Sequence, residues 1–194
     1  MPKQTKQPTK TAIKKEIIDF LNASSAQVNP RPGRHSCGLV HKNALVLATY
    51  ANNKPRATVL EFFNEGLSIY IFGEPGGKIA NIKRNSSVSA IVYEQPLNHA
   101  KNQRSLQIFG EAELISVRNN SRLYWAKVRK WNLQTVGKRL FSPMFKGMKL
   151  SEKETDAMVK KGLAALNLIK ITPDHIILKK WKTDFSVEKL EWKK

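Results

Sequence analysis

Two groups of residues in this chain have types and spacing suited to handling an anion. The first is Gly76-Gly77-Lys78. A lysine behind two glycines, opening a short amphipathic stretch, sets an ammonium beside the free N–H groups of a helix start, and both favour a phosphate or carboxylate. The second is the run from Arg118 to Lys149, which holds nine Lys and Arg, no Asp or Glu, and Tyr124, Trp125, Trp131, Phe141 and Phe145 interleaved. Three readings suit that run. It is a solvated helical face whose aromatics pack on the body, a lid over an anionic substrate, or a nucleic-acid surface with cations on phosphates and rings on bases. His35, Cys37 and His41 stand close together, but no second cluster completes a zinc spacing, so they read as a loop and no metal is expected. His99 and His175 have no partner pattern. There is no Gly-x-Ser-x-Gly, HExxH or Walker loop, so nothing points to hydrolysis or to nucleoside triphosphate use.

The charge balance agrees with an anionic partner. Thirty-four Lys and Arg against 15 Asp and Glu give a formal net charge of +19, which attracts nucleic acid, anionic lipid and phosphorylated or carboxylated small molecules. The 194 residues, 41% hydrophobic and 25% charged, are enough for one domain with a real core. No apolar run approaches the roughly 18 residues that span a bilayer. The lysine-rich N-terminus lacks the apolar segment of a secretory signal, and the single Cys37 excludes an internal disulfide. A cytoplasmic protein is the expectation.

The elements that must position these residues are mostly short strands. Residues 1–10 read as a disordered basic arm, and 11–194 as one domain: a core over 44–117, a basic helical insertion over about 118–165, and final strands over 166–182. Ile13, Ile17, Ile18 and Leu21 fall at helical spacing and predict a helix ending by Ser24. Asn29 to Gly33 is irregular. Strands are expected over Ala44–Tyr50, Ala57–Phe63 and Leu67–Phe72, turned at Asn52–Pro55 and at Asn64–Gly66, as an antiparallel meander. Lys78–Arg84 reads as a short helix with Ile79 and Ile82 inward, Val88–Val92 as a strand, Gln95–Gln103 as a polar connection, and Leu106–Val117 as a long strand bent at Gly110. Strands in that order suggest a small closed barrel, which leaves no open edge. Beyond it, Asn120–Lys130 suits a helix and Phe141–Gly147 a loop. Ser151 with Glu154 is a capping box for a helix to about Leu166. Leu168–Thr172 and His175–Trp181 read as two strands turned by Pro173-Asp174, before a short basic tail.

The stretch from Ala44 to Leu114 resembles the FMN-binding split-barrel family related to pyridoxamine 5'-phosphate oxidase. The matching pieces come in the family's order: Ala44–Thr49, Arg56–Val59, Gly66–Phe72, Gly76–Lys78, Asn85–Ser89 and Gly110–Glu113. The resemblance implies a mainly β split barrel with flanking helices, an FMN cofactor held at a homodimer interface, and oxidoreductase chemistry on a small molecule, for which the net charge alone favours an anion. It implies that Arg56, Ala57, Thr58, Val59, Leu60 and Glu61 run along the isoalloxazine, with Ile71 and Phe72 also touching the flavin. Arg56, Gly77 and Lys78 would take the phosphate, with Gly77 offering its backbone N–H. Many relatives have Ser-Arg-Lys where this chain has Gly76-Gly77-Lys78. A relative's flavin-contacting glutamine falls at Ser105, and Gln107 lies two residues on, on the same strand face. Leu190-Glu191-Trp192 matches the true oxidases in part, without their downstream arginine pair, which argues against pyridoxamine phosphate as substrate. A deazaflavin or haem ligand, with His35 or His41 on iron, and a non-enzymatic nucleic-acid-binding module on the same barrel are the alternatives.

Overall fold

A computed structural model describes residues 8–26, 42–94, 103–145, 147–148, 150–184 and 186–194. The chain opens with helix α1 (Lys10–Ser25), capped by the Thr9 hydroxyl, which accepts from the Ala12 N–H at 3.2 Å. Its periodic face buries Ile17, Phe20 and Leu21. Strands β1 (Leu45–Ala51) and β2 (Lys54–Leu60) form a hairpin on Asn52 and Asn53, both with positive φ (51° and 58°). Two consecutive left-handed residues, both asparagine, match the twist of a tight hairpin.

The next run differs from the expected meander. The apolar stretch after Ala57 does not continue as one strand: it breaks at Glu61 and Phe62, and a separate short strand, β3 (Phe63–Glu65), pairs with β4 (Ser68–Gly73). The break lets Phe62 bury completely, and β2 and β4 never pair. Asn64 and Glu65, expected in a turn, are strand residues, and the turn is Gly66-Leu67.

Helix α2 (Gly77–Arg84) buries Ile79 and Ile82, as expected. It is followed by β5 (Ser87–Tyr93) and by β6 (Gln103–Ile115). The helical segment comprises α3 (Val117–Lys130), α4 (Leu133–Phe145) and α5 (Glu152–Ala164). The Ser151–Glu154 capping box is present at α5. Helix α4 takes in part of the expected Phe141–Gly147 loop: packing along α5, with Lys138 Nζ 2.6 Å from Asp156 Oδ1, overrides weak local helix preference.

Two final strands were expected, and one is found. β7 (Asn167–Trp181) runs straight through Pro173-Asp174. The ladder slips between Phe109 and Gly110, where Gly110 pairs with Pro173 and Phe109 with His175. This bulge accommodates a proline that has no N–H to give. Gly110 is required there, because a Cβ would lie 2.3 Å from the Thr172 carbonyl oxygen and 2.8 Å from Pro173 Cα. The expected basic tail is strand β8 (Val187–Lys193), paired with β7.

The sheet order is β2-β1-β5-β6-β7-β4-β3, with β8 beside β7. It curls without closing, so β2 and β3 remain edges: a split barrel rather than the closed one. Its inner layer, from Leu45 across Val92, Leu106 and Leu178 to Leu190, packs with α1 and α2 into the main core. A second core lies under the helices, where Phe63, Tyr70 and Leu168 meet Tyr124, Val128, Val159 and Leu163.

Candidate functional site: an uncompensated cation pair at a helix start

Helix α2 begins without a side-chain cap. Its N-cap is Gly76, and the first helical hydrogen bond runs from Ala80 N to Gly76 O at 3.0 Å. The N–H groups of Gly77, Lys78 and Ile79 therefore lack helical partners. The helix is tied to the end of β1: Asn81 Nδ2 donates to the buried Thr49 Oγ1 at 3.2 Å, and Asn85 Nδ2 donates to the Tyr50 carbonyl at 3.2 Å. Arg56 pairs with Thr49 in the adjacent edge strand β2. Its side chain reaches over the same helix end. A Cβ placed on Gly77 would lie 2.8 Å from Arg56 Nη1 and 3.1 Å from Cζ. Gly77 is a seat for the guanidinium, and a larger residue would displace it. Lys78 folds over Gly73 in the same manner, its Cε 2.8 Å from where a Cβ would stand.

Two cations and the free N–H groups of a helix start thus converge. Neither Arg56 nor Lys78 makes an ion pair with any described residue. The donors and charge fit a phosphate monoester: the helix end supplies N–H donors, Arg56 a planar fork and Lys78 a point charge.

The other residues singled out in the sequence fall into three places. Ala57 and Val59 lie on the outer side of β2, with Val59 67% exposed, and Glu61 follows at the break, while Thr58 and Leu60 lean toward the interior. As an edge strand, β2 also turns part of its backbone N–H and C=O groups away from β1. Glu61 is exposed as a residue, yet burial at its carboxyl pushes the pKa above the ordinary value. Ile71 is fully buried in the main core, so its side chain cannot reach a ligand. Phe72 is half-buried and packs edge-on against Tyr124 (5.8 Å) and Trp131 (6.1 Å). Ser105 and Gln107 sit on β6. The register places Val59, Val46, Ile91 and Gln107 in one row across the outer face. Gln107 is therefore three strand spacings from β2, roughly 14 Å. One protomer does not bring β2 and Gln107 together.

That outer face was not read from the sequence. Val59, Ile91 (42% exposed) and Phe109 (40%) show on it, with Ala48 and Ala57 between. Alternation in β1, β2, β5 and β6 was the available signal, since both faces of these strands carry apolar residues. His175 stacks on Phe109 there (5.6 Å), with Nε2 3.3 Å from Glu191 Oε2. His35, Cys37, His41 and His99 lie outside the described residues. Among the described residues no helix is long and apolar enough to cross a membrane.

The basic stretch takes its structural reading in part. Tyr124 is fully buried, its hydroxyl donating to the Leu163 carbonyl, and burial pushes its pKa up to about 12. Trp131 stacks on Phe63 at 4.5 Å. Lys127 is buried, paired with Glu65, and lies 4.6 Å from the Tyr70 ring centroid. Lys130 Nζ also reaches Glu65, at 2.6 Å.

Comparison with known proteins agrees with this architecture. The whole chain (100%) aligns with 91% of PhzG from Burkholderia lata 383, crystallised with tetrahydrophenazine-1-carboxylic acid, at 12% identity and a TM-score of 0.56. A conserved hypothetical protein from Mycobacterium tuberculosis matches at 15% identity and a TM-score of 0.50, over 92% of this chain and 83% of that one. A FAD-binding protein from Mesorhizobium loti matches at 16% identity and a TM-score of 0.46, over 72% and 87%. At these identities the likeness concerns the fold. Curated protein sequences give no match. The family model described as pyridoxamine 5'-phosphate oxidase matches residues 35–180, three quarters of the sequence, which makes the fold a flavin-binding one. With its split barrel and the order of its strands, the chain belongs to the pyridoxamine 5'-phosphate oxidase family.

Proposed function

We propose that this protein is an FMN-binding oxidoreductase that works as a homodimer. The observation that carries the reading is the corner formed by Arg56, Gly77 and Lys78: two cations without counter-ions among the described residues, held over an uncapped helix start. A phosphate monoester satisfies that corner, and FMN has one where riboflavin has none. From there the ring system would run along the outer side of β2, whose edge backbone offers hydrogen bonds to the ring. Ser105 and Gln107, too distant within a protomer, would come to the flavin from across a dimer interface built on the exposed Val59, Ile91 and Phe109. Bound FMN would supply hydride or electron transfer, and the protein binding, orientation and exclusion of water. The net charge of +19 favours an anionic small-molecule substrate.

The test is the visible absorption spectrum of the purified protein across a size-exclusion peak, before and after FMN is added. Flavin bands co-eluting with a dimer are expected. A colourless protein that takes up no FMN contradicts the reading, and a Soret band would replace flavin with haem.

A further inference from the structure

The cations of the acid-free run from Arg118 to Lys149 divide by type. The lysines described there are engaged: Lys127 and Lys130 with Glu65, Lys138 with Asp156. The arginines are not. Arg118, Arg122 and Arg129 on α3 and Arg139 on α4 are exposed and pair with no described carboxylate. Folding therefore consumes the compact ammonium charges and leaves the planar guanidinium groups in solvent.

Two of these arginines share a surface. Past the break at Asn120, α3 is regular, and Arg122, Trp125 and Arg129 fall at i, i+3 and i+7 on one face. Tyr124 and Val128 bury on the other face. Trp125 is half-buried, braced edge-on by Tyr124 at 5.4 Å. The exposed Lys160 of α5 lies over its ring, 5.7 Å from the centroid. The face is thus three cations around one indole, on a protein of net charge +19.

We propose that this face binds single-stranded nucleic acid. Arg122, Arg129 and Lys160 would contact successive phosphates, and Trp125 would offer its ring to a base once Lys160 turns to the backbone. Guanidinium groups match phosphate oxygens as a fork, and an indole stacks any base. A lipid surface fits less well, because none of the large hydrophobic side chains left exposed belongs to α3. The site shares no residue with the proposed flavin corner, and its cations are carried by α3 and α5 rather than by β2 and α2.

A basic protein binds RNA non-specifically at low salt, so the test needs a charge-matched control. Binding of a fluorescein-labelled oligouridylate of about 16 nucleotides is followed by anisotropy from about 50 to 300 mM salt. Wild type is compared with R122Q/R129Q and with K10Q/K14Q, which removes two exposed lysines from α1. The expected result is an affinity on the order of tenfold lower for R122Q/R129Q, with a log–log salt slope shallower by about 1.4, and little change for K10Q/K14Q. Tryptophan fluorescence, to which Trp125 contributes, should quench on binding, and all three proteins should melt alike with equal flavin content. Equal weakening in both variants, no binding by wild type, or Arg122- and Arg129-dependent binding to phosphatidylserine vesicles but not to RNA overturns the proposal.

Discussion

Two groups of cations in this molecule have opposite fates. Under the helices, Lys127 and Lys130 share Glu65, and Lys127 is buried against Tyr70 and Trp131. Desolvation alone would raise the Glu65 pKa. Hydrogen bonds from Lys127 and Lys130, and their charges, outweigh it and hold the carboxyl below its ordinary range. At the start of α2, Arg56 and Lys78 are held as closely, by contact over Gly77 and Gly73, but without a carboxylate among the described residues. A structural cation is supplied with its anion by the fold. On the function proposed above, a binding cation is positioned by sterics and left to find its anion in solution. Composition registers both simply as basic residues.

The largest expected effect breaks the first group. Glu65→Gln leaves the Lys127 ammonium enclosed without its counter-ion, and stability should fall by about 2–3 kcal/mol, less than for a fully buried pair because Glu65 is partly exposed. Urea unfolding measures it, and flavin content should not change. The same pair predicts an acid limb. The folded pKa lies below the unfolded one, so this contribution is complete above about pH 4.5 and fades as pH falls through the folded value. In the Gln variant that part of the limb should disappear.

The second group is probed more gently by Gly77→Ala. The added methyl meets the flexible end of Arg56, 2.8 Å away, so the guanidinium gives way and the backbone stays. FMN affinity should drop roughly tenfold, the worth of one charge-assisted hydrogen bond, with unchanged or slightly higher thermal stability from the better helix former. A variant with full FMN affinity would show that the Arg56 position over Gly77 does not matter.

Legibility in the sequence followed how local each cause is. The face of α1, the capping box of α5, and the inward Ile79 and Ile82 are set within a few residues, and each was readable. The break at Phe62 was not, because it depends on β3 choosing β4 over β2. Nor was the passage of β7 through Pro173, since the bulge that tolerates it is formed with β6. Lysines near C-terminal strand residues suggested a tail, whereas pairing along β7 makes β8. In the candidate site, the anion preference of Gly76-Gly77-Lys78 was visible in the motif. The family resemblance supplied Arg56. The role of Gly77 as its seat needed the fold, which brings β2 across the start of α2.

The most direct measurement titrates wild type and R56A/K78A with FMN and with riboflavin, which differ by the phosphate alone. Wild type should prefer FMN by roughly 10²-fold or more, the worth of two charge-assisted contacts, and the double variant should bind both ligands with the same weak affinity. Equal affinities in wild type, or an FMN preference that survives in R56A/K78A, would contradict the assignment of this corner as the phosphate site.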